Sequence, residues 1–169
     1  MRQGTTMQQG NGNAGQEQAW LAQAIDLATG NVASGGGPFG ALIVRGDEVI
    51  SEGINRVVPM LDPTAHAEVV AIREACQKLG GYRLNGCVLV SSCEPCPLCL
   101  SAALWARIDR VLYTADRDNA ALAGFDDRAF YDLFSQPRQD WPMLISHIDT
   151  PGRTVPFDAW LTKSDRTEY

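Results

Sequence analysis

The chain has 169 residues, 45% of them hydrophobic and 20% charged, with a formal net charge of -6 and a pI of about 4.8. One domain with a real core fits this length and composition, and no apolar run is long enough to read as a membrane span. The acidic balance gives no general footprint for nucleic acid, which normally meets a basic face.

Residues 1–18 are rich in Gln, Gly, Thr and Asn and poor in large apolar side chains. They read as a disordered tail, because such a segment buries too little surface to offset its ordering entropy. The start lacks the basic-then-apolar order of a secretory leader. The cytoplasm is therefore the expected compartment.

From Ala19 to Ala33, apolar residues recur at helical spacing and predict a helix that stops at Ser34-Gly35-Gly36-Gly37-Pro38. Phe39–Arg45 and Glu48–Ile54 predict a hairpin around Gly46-Asp47. Residues 55–63 read as a loop. Thr64 is the expected N-cap of a helix that ends at Gly80-Gly81. Cys87–Ser92 reads as a buried strand, Pro95–Ala106 as a helix with Pro in its first turn, and Arg110–Thr114 as a strand. A helical stretch over Asn119–Phe134 is interrupted at Gly124-Phe125-Asp126-Asp127. Met143–Asp149 reads as a fifth strand and Pro156–Lys163 as a short helix. Alternating strands and helices predict an α/β fold: a three-layer α/β/α sandwich around a central five-stranded mixed sheet.

Two short stretches carry chemistry: Pro63-Thr64-Ala65-His66-Ala67-Glu68 and Ser92-Cys93-Glu94-Pro95-Cys96-Pro97-Leu98-Cys99. Cys96 and Cys99 lie three apart at a helix start, so they share a face, and the helix dipole favours their thiolates. With a neutral His66 they form a soft three-ligand set suited to Zn²⁺, with a fourth tetrahedral position left open, as at catalytic sites. Glu68 stands two residues after His66. Positions i and i+2 on a helix do not face each other, which argues against both residues as ligands and suits Glu68 to proton transfer beside the open position.

Other readings stay open at this level. A lone Cys-x-x-Cys is also a redox motif or half of a structural zinc knuckle, and Cys93 is a conceivable fourth ligand. Cys76 and Cys87 read as core residues. His147 reads as a core or rim histidine. Five Cys at tight spacing, without a leader, favour reduced thiols over disulfides.

His66-Ala67-Glu68 with Pro95-Cys96-Pro97-Leu98-Cys99 resembles the cytidine/deoxycytidylate deaminase superfamily, over roughly residues 19–169. Within it the chain is most similar to the bacterial guanine deaminases. That similarity rests on Gly36-Gly37-Pro38-Phe39-Gly40-Ala41, Asp62-Pro63-Thr64, Thr114-Ala115-Asp116, Ala123-Gly124-Phe125-Asp126-Asp127, Pro156-Phe157-Asp158-Ala159-Trp160 and the terminal Glu168-Tyr169. The resemblance implies the cytidine deaminase-like fold and zinc-dependent hydrolytic deamination of a free nucleobase or related amino-heterocycle. A nucleoside or aminotriazine deaminase and a transfer-RNA adenosine deaminase are the alternatives. It further implies Glu68 as the proton carrier and Phe39 and Trp105 as aromatic walls. Asn55, Asp127, the Ala67 N–H and the Ser92 C=O would contact substrate. A C-terminal lid over residues 150–169, ending in Tyr169, would close the site of a domain-swapped homodimer. Guanine deaminases also carry a Glu just before the Pro-Phe pair. By register that position falls near Gly152, and Asp149–Thr154 contains no Glu.

Overall fold

The structure, a computed structural model, describes residues 14–167. The chain divides into two units, one ending at Tyr131 and one beginning at Asp132.

The first unit runs α1 (Ala14–Ala33), β1 (Gly40–Arg45), β2 (Glu48–Ile54), α2 (Val57–Met60), α3 (Ala67–Leu79), β3 (Cys87–Cys93), α4 (Pro97–Trp105), β4 (Arg110–Ala115), α5 (Arg117–Leu122) and most of α6 (Asp127–Phe134). Its sheet has the order β2-β1-β3-β4. β1 pairs antiparallel with both β2 and β3, whereas β3 and β4 run parallel, joined by the crossover helix α4.

Strand alternation divides the core between the two faces of this sheet. Leu42 and Val44 of β1 and Val90 of β3 pack with Trp20 and Ala24 of α1. Ala41, Ile43 and Leu89 point the other way, onto Ala71, Ile72 and Ala75 of α3 and Ala103 of α4. α3 lies close against β2. A methyl group at Gly53 would sit 2.0 Å from the Ala67 carbonyl oxygen and 2.7 Å from the Ala71 nitrogen, so glycine there sets the distance between helix and sheet.

Several expectations need correction. Residues 14–18 are the first turn and more of α1, where Gln and Glu are good helix formers and Glu17 pairs with Arg110 at 2.6 Å; residues 1–13 lie outside the described residues. The expected loop after β2 contains the short helix α2. Thr64 does not cap α3: its N–H and hydroxyl both donate to the Asp62 carboxylate, at 2.8 and 2.7 Å, and His66 occupies the cap position instead. Pro97, rather than Pro95, opens α4.

Among the described residues the sheet has four strands, not five. Met143–Asp149 forms no strand, and His147 is exposed. The segment has strand-like composition, but an extended chain becomes a strand only when its N–H and C=O groups find a paired edge. The second unit offers none. It consists of the end of α6, a single 3-10 turn at Arg138–Asp140 and α7 (Val155–Thr162), with Phe134 and Trp141 in edge-to-face contact at 5.1 Å. Among the described residues, no helix is long and apolar enough to cross a membrane.

Candidate active site and metal centre

The site forms where two helices begin. His66 and Cys96 are the N-cap residues of α3 and α4, both in extended conformation, and neither side chain makes a capping hydrogen bond. Pro97 follows at the first helical position, where its missing N–H costs nothing. Cys99 lies one turn further into α4 and is fully buried. These starts bring three donor atoms together: His66 Nδ1 is 3.6 Å from Cys96 Sγ and 3.5 Å from Cys99 Sγ, and the two sulfurs are 3.7 Å apart.

Those spacings are a test of the metal. Tetrahedral zinc with Zn–S near 2.3 Å and Zn–N near 2.0–2.1 Å requires an S···S edge of about 3.8 Å and an N···S edge of about 3.6 Å. The observed triangle matches. His66, Cys96 and Cys99 form the one three-donor cluster of this kind among the described residues. Cys93 is not in it; its thiol donates to the Asp116 carbonyl at 3.5 Å, and burial pushes it up to about 11. Among the described residues the set therefore offers three protein donors. All five cysteines are free.

The contacts with Cys99 and with His66 hold Cys96 down at about 4. Cys99 shifts up through the same contact and its burial. His66 is raised by its bond to Cys96, against the opposing effect of burial.

Glu68, in the first turn of α3, is 5% exposed and lies outside the three-donor cluster. The Ser91 hydroxyl donates to its carboxylate at 3.2 Å. Burial pushes this carboxyl up, which prepares it to hold a proton as well as to accept one. Glu68, His66 and Cys96 line a cavity of about 270 Å³. Larger hollows, about 630 Å³ along β2 and about 810 Å³ between α1 and α5, contain none of the three ligands.

Phe39, Asn55 and Asp127 line the same cavity, as the sequence suggests. Asp127 begins α6 and is half-buried, and burial raises its carboxyl. Ala67 and Ser92 are buried on α3 and β3; the Ser92 hydroxyl accepts the Gly40 N–H at 3.1 Å. Trp105 is not brought to this cavity. It ends α4, 62% exposed, with Arg107 5.9 Å from its ring centre. Tyr169 lies outside the described residues. Phe125 and Phe130 were not anticipated as walls, yet both line the cavity, and Phe125 meets Phe39 edge-to-face at 4.8 Å. Phe125 belongs to the Ala-Gly-Phe-Asp-Asp block, which was the available signal.

The fold and the triangle define a zinc-dependent deaminase, and the chain belongs to the cytidine and deoxycytidylate deaminase family: the profile of that family's zinc-binding region matches residues 14–115. It is 44% identical over 153 residues to the guanine deaminase of Bacillus subtilis, which covers 90% of this chain and 98% of the relative. The crystal structure of guanine deaminase from Bacillus subtilis superposes with a TM-score of 0.87 over 90% of this chain and 98% of that one. A guanine deaminase structure from Nitrosomonas europaea is 33% identical, with a TM-score of 0.62, covering 65% of this chain and 64% of its own. The tRNA-specific adenosine deaminase of Aquifex aeolicus is 46% identical over 78 residues, 46% of this chain and 52% of the relative.

Proposed function

We propose that this protein hydrolyses the exocyclic amino group of a free nucleobase, with guanine the first candidate: guanine and water give xanthine and ammonia. The observation that carries this reading is the placement of a buried carboxylate, Glu68, beside a zinc-shaped triangle in a small aromatic cavity. The extent of the likeness to Bacillus subtilis guanine deaminase, through the second unit as well as the first, supports the choice of base.

His66, Cys96 and Cys99 would hold Zn²⁺, which would acidify water and stabilise negative charge on oxygen. Glu68 takes the proton from the attacking water as its oxygen bonds to the amino-bearing carbon. It then gives that proton to the adjacent ring nitrogen. A second transfer, from the added hydroxyl through Glu68 to the amino nitrogen, lets the C–N bond break and ammonia leave as the carbonyl forms. Phe39 stacks on the base, while Asn55 and Asp127 read its polar edge. The Ala67 N–H and Ser92 C=O complete the contacts with substrate and leaving ammonia.

The position where relatives carry a further Glu is here Gly152, in a turn with φ +80, a conformation that disfavours any side chain; nearby Asp149 pairs with Arg153 at 2.7 Å. Substrate choice is therefore best read from a panel. Ammonia release should be measured with guanine, guanosine, cytosine, adenine and aminotriazines, and with a transfer-RNA anticodon stem. Release from guanine above the others supports the assignment; release only from another substrate replaces guanine, and release from none refutes the reading.

The same proposal extends to a homodimer, with the second unit of one copy closing the site of the other. Its support is that α7 buries none of its residues and leaves Phe157 68% and Leu161 65% exposed. Light scattering after size exclusion tests this. Five free thiols suit the reducing cytoplasm.

A further inference from the structure

The geometry points to Asn31, at the end of α1 and outside the cavity, as a positioning residue for the substrate-reading edge of the site. This inference rests on the reading of the cavity above. Asn31 is 5% exposed. Its Nδ2 donates two hydrogen bonds, to the Gly37 carbonyl at 2.8 Å and to the Asn55 carbonyl at 2.9 Å. Those carbonyls belong to two separate segments, the Gly-rich turn before β1 and the chain leaving β2, and both segments line the cavity.

The main chain strengthens the bridge. The Asn31 carbonyl accepts the N–H groups of Ser34 at 3.0 Å and Gly36 at 2.9 Å, so the turn leaves the helix in one direction. Phe39 N–H then donates to Gly37 C=O at 2.8 Å, and Asn55 N–H to Phe39 C=O at 3.1 Å. One amide thus ties together the residue that stacks on the base and the residue that reads its edge. A methyl group at Gly36 would lie 2.4 Å from Asn31 Nδ2, so glycine at that position is what leaves the amide its place. No side chain of similar size substitutes: Asp has the shape but only accepts, and would set its charge against two carbonyl oxygens.

Two variants test this, Asn31→Asp and, independently, Gly36→Ala, which displaces the amide without changing it. In both, KM for guanine should rise by about tenfold or more, with kcat falling less than about threefold and zinc content unchanged, since orientation is lost and the chemical groups remain. Amide hydrogen exchange of the zinc-loaded protein should accelerate about tenfold at Phe39 and Asn55 while α3 and β3 stay protected. A drop in thermal midpoint with KM and local exchange unchanged would mark Asn31 as merely structural and overturn the inference. If the wild type releases no ammonia from guanine, the functional reading fails instead. The exchange arm then decides the positioning role alone: acceleration supports it and unchanged exchange overturns it.

Discussion

The Tyr131 hydroxyl donates to the Pro95 carbonyl at 2.7 Å and so ties α6 to the turn that presents Cys96. The Arg117 guanidinium lies 3.4 Å from the Tyr131 ring centre and forms a two-pronged ion pair with Glu94, one residue before that turn. Supports of this kind hold ligands in place without touching the ion, and their loss typically costs about 10- to 100-fold in metal affinity. Tyr131→Phe should keep the fold at a cost of about 1 kcal/mol and weaken zinc binding by about tenfold in a chelator competition. Unchanged zinc affinity would remove Tyr131 from this role.

Glu68→Gln preserves shape and the Ser91 contact but cannot carry a proton. Zinc content should stay at one per chain while turnover falls by about 10² to 10⁴, the usual contribution of a positioned acid–base group. Metal analysis alongside ammonia release checks both halves. A variant that keeps most of its activity would rule out the assigned chemistry.

Cys93 and Cys99 provide a paired test of the ligand set. Cys99→Ser should lose zinc and lower the thermal midpoint, since the metal contributes to folding. Cys93→Ser, whose hydroxyl can still reach the Asp116 carbonyl, should bind a full equivalent. Loss of zinc from the Cys93 variant would mean a four-ligand structural site.

Folding holds the Glu94 carboxyl below its ordinary value, because Arg117 bonds to it directly. A lowered carboxyl stabilises the native state above its unfolded value, about 4.3 for Glu, and this contribution disappears as pH falls through the folded value. Wild type and Glu94→Gln should therefore differ by a few degrees in thermal midpoint near neutrality and converge in acid. Parallel curves from pH ~7 to ~3 would contradict the coupling.

Gly53→Ala probes the contact between helix and sheet. The new methyl would meet two backbone atoms of α3, at 2.0 and 2.7 Å, and backbone cannot rotate away. Overpacking of this kind costs about 1–3 kcal/mol or more, visible as a lower urea midpoint. A neutral result would show that α3 is free to shift.

The metal site was legible because its logic is local. Three ligands and Glu68 occupy two short stretches, and each stretch begins a helix whose start the Pro and polar residues announce. The aromatic wall was only half legible. Phe39 follows the Gly-rich turn, but Phe125 and Phe130 come from the end of the α5–α6 connection and from α6, and their place in the lining is a tertiary fact. Trp105 shows the converse: it has the right composition at the end of α4, but that helix carries it away from the ligands it begins with. Met143–Asp149 has the composition of a strand, yet strandedness belongs to a pair of segments, and no neighbour is encoded within seven residues.

The two extended cap residues have a consequence for how the apoprotein behaves. A helix start usually has a Ser, Thr, Asp or Asn to satisfy its first N–H groups. At α3 and α4 those places are given to His66 and Cys96, whose side chains meet each other at 3.6 Å instead. Coordination would therefore fix both cap residues, while the first N–H groups of the two helices have no side-chain cap. Zinc removal is thus expected to loosen both helix starts, the one that carries Glu68 and the one that carries the thiolates, and hydrogen exchange of their first turns with and without metal checks it.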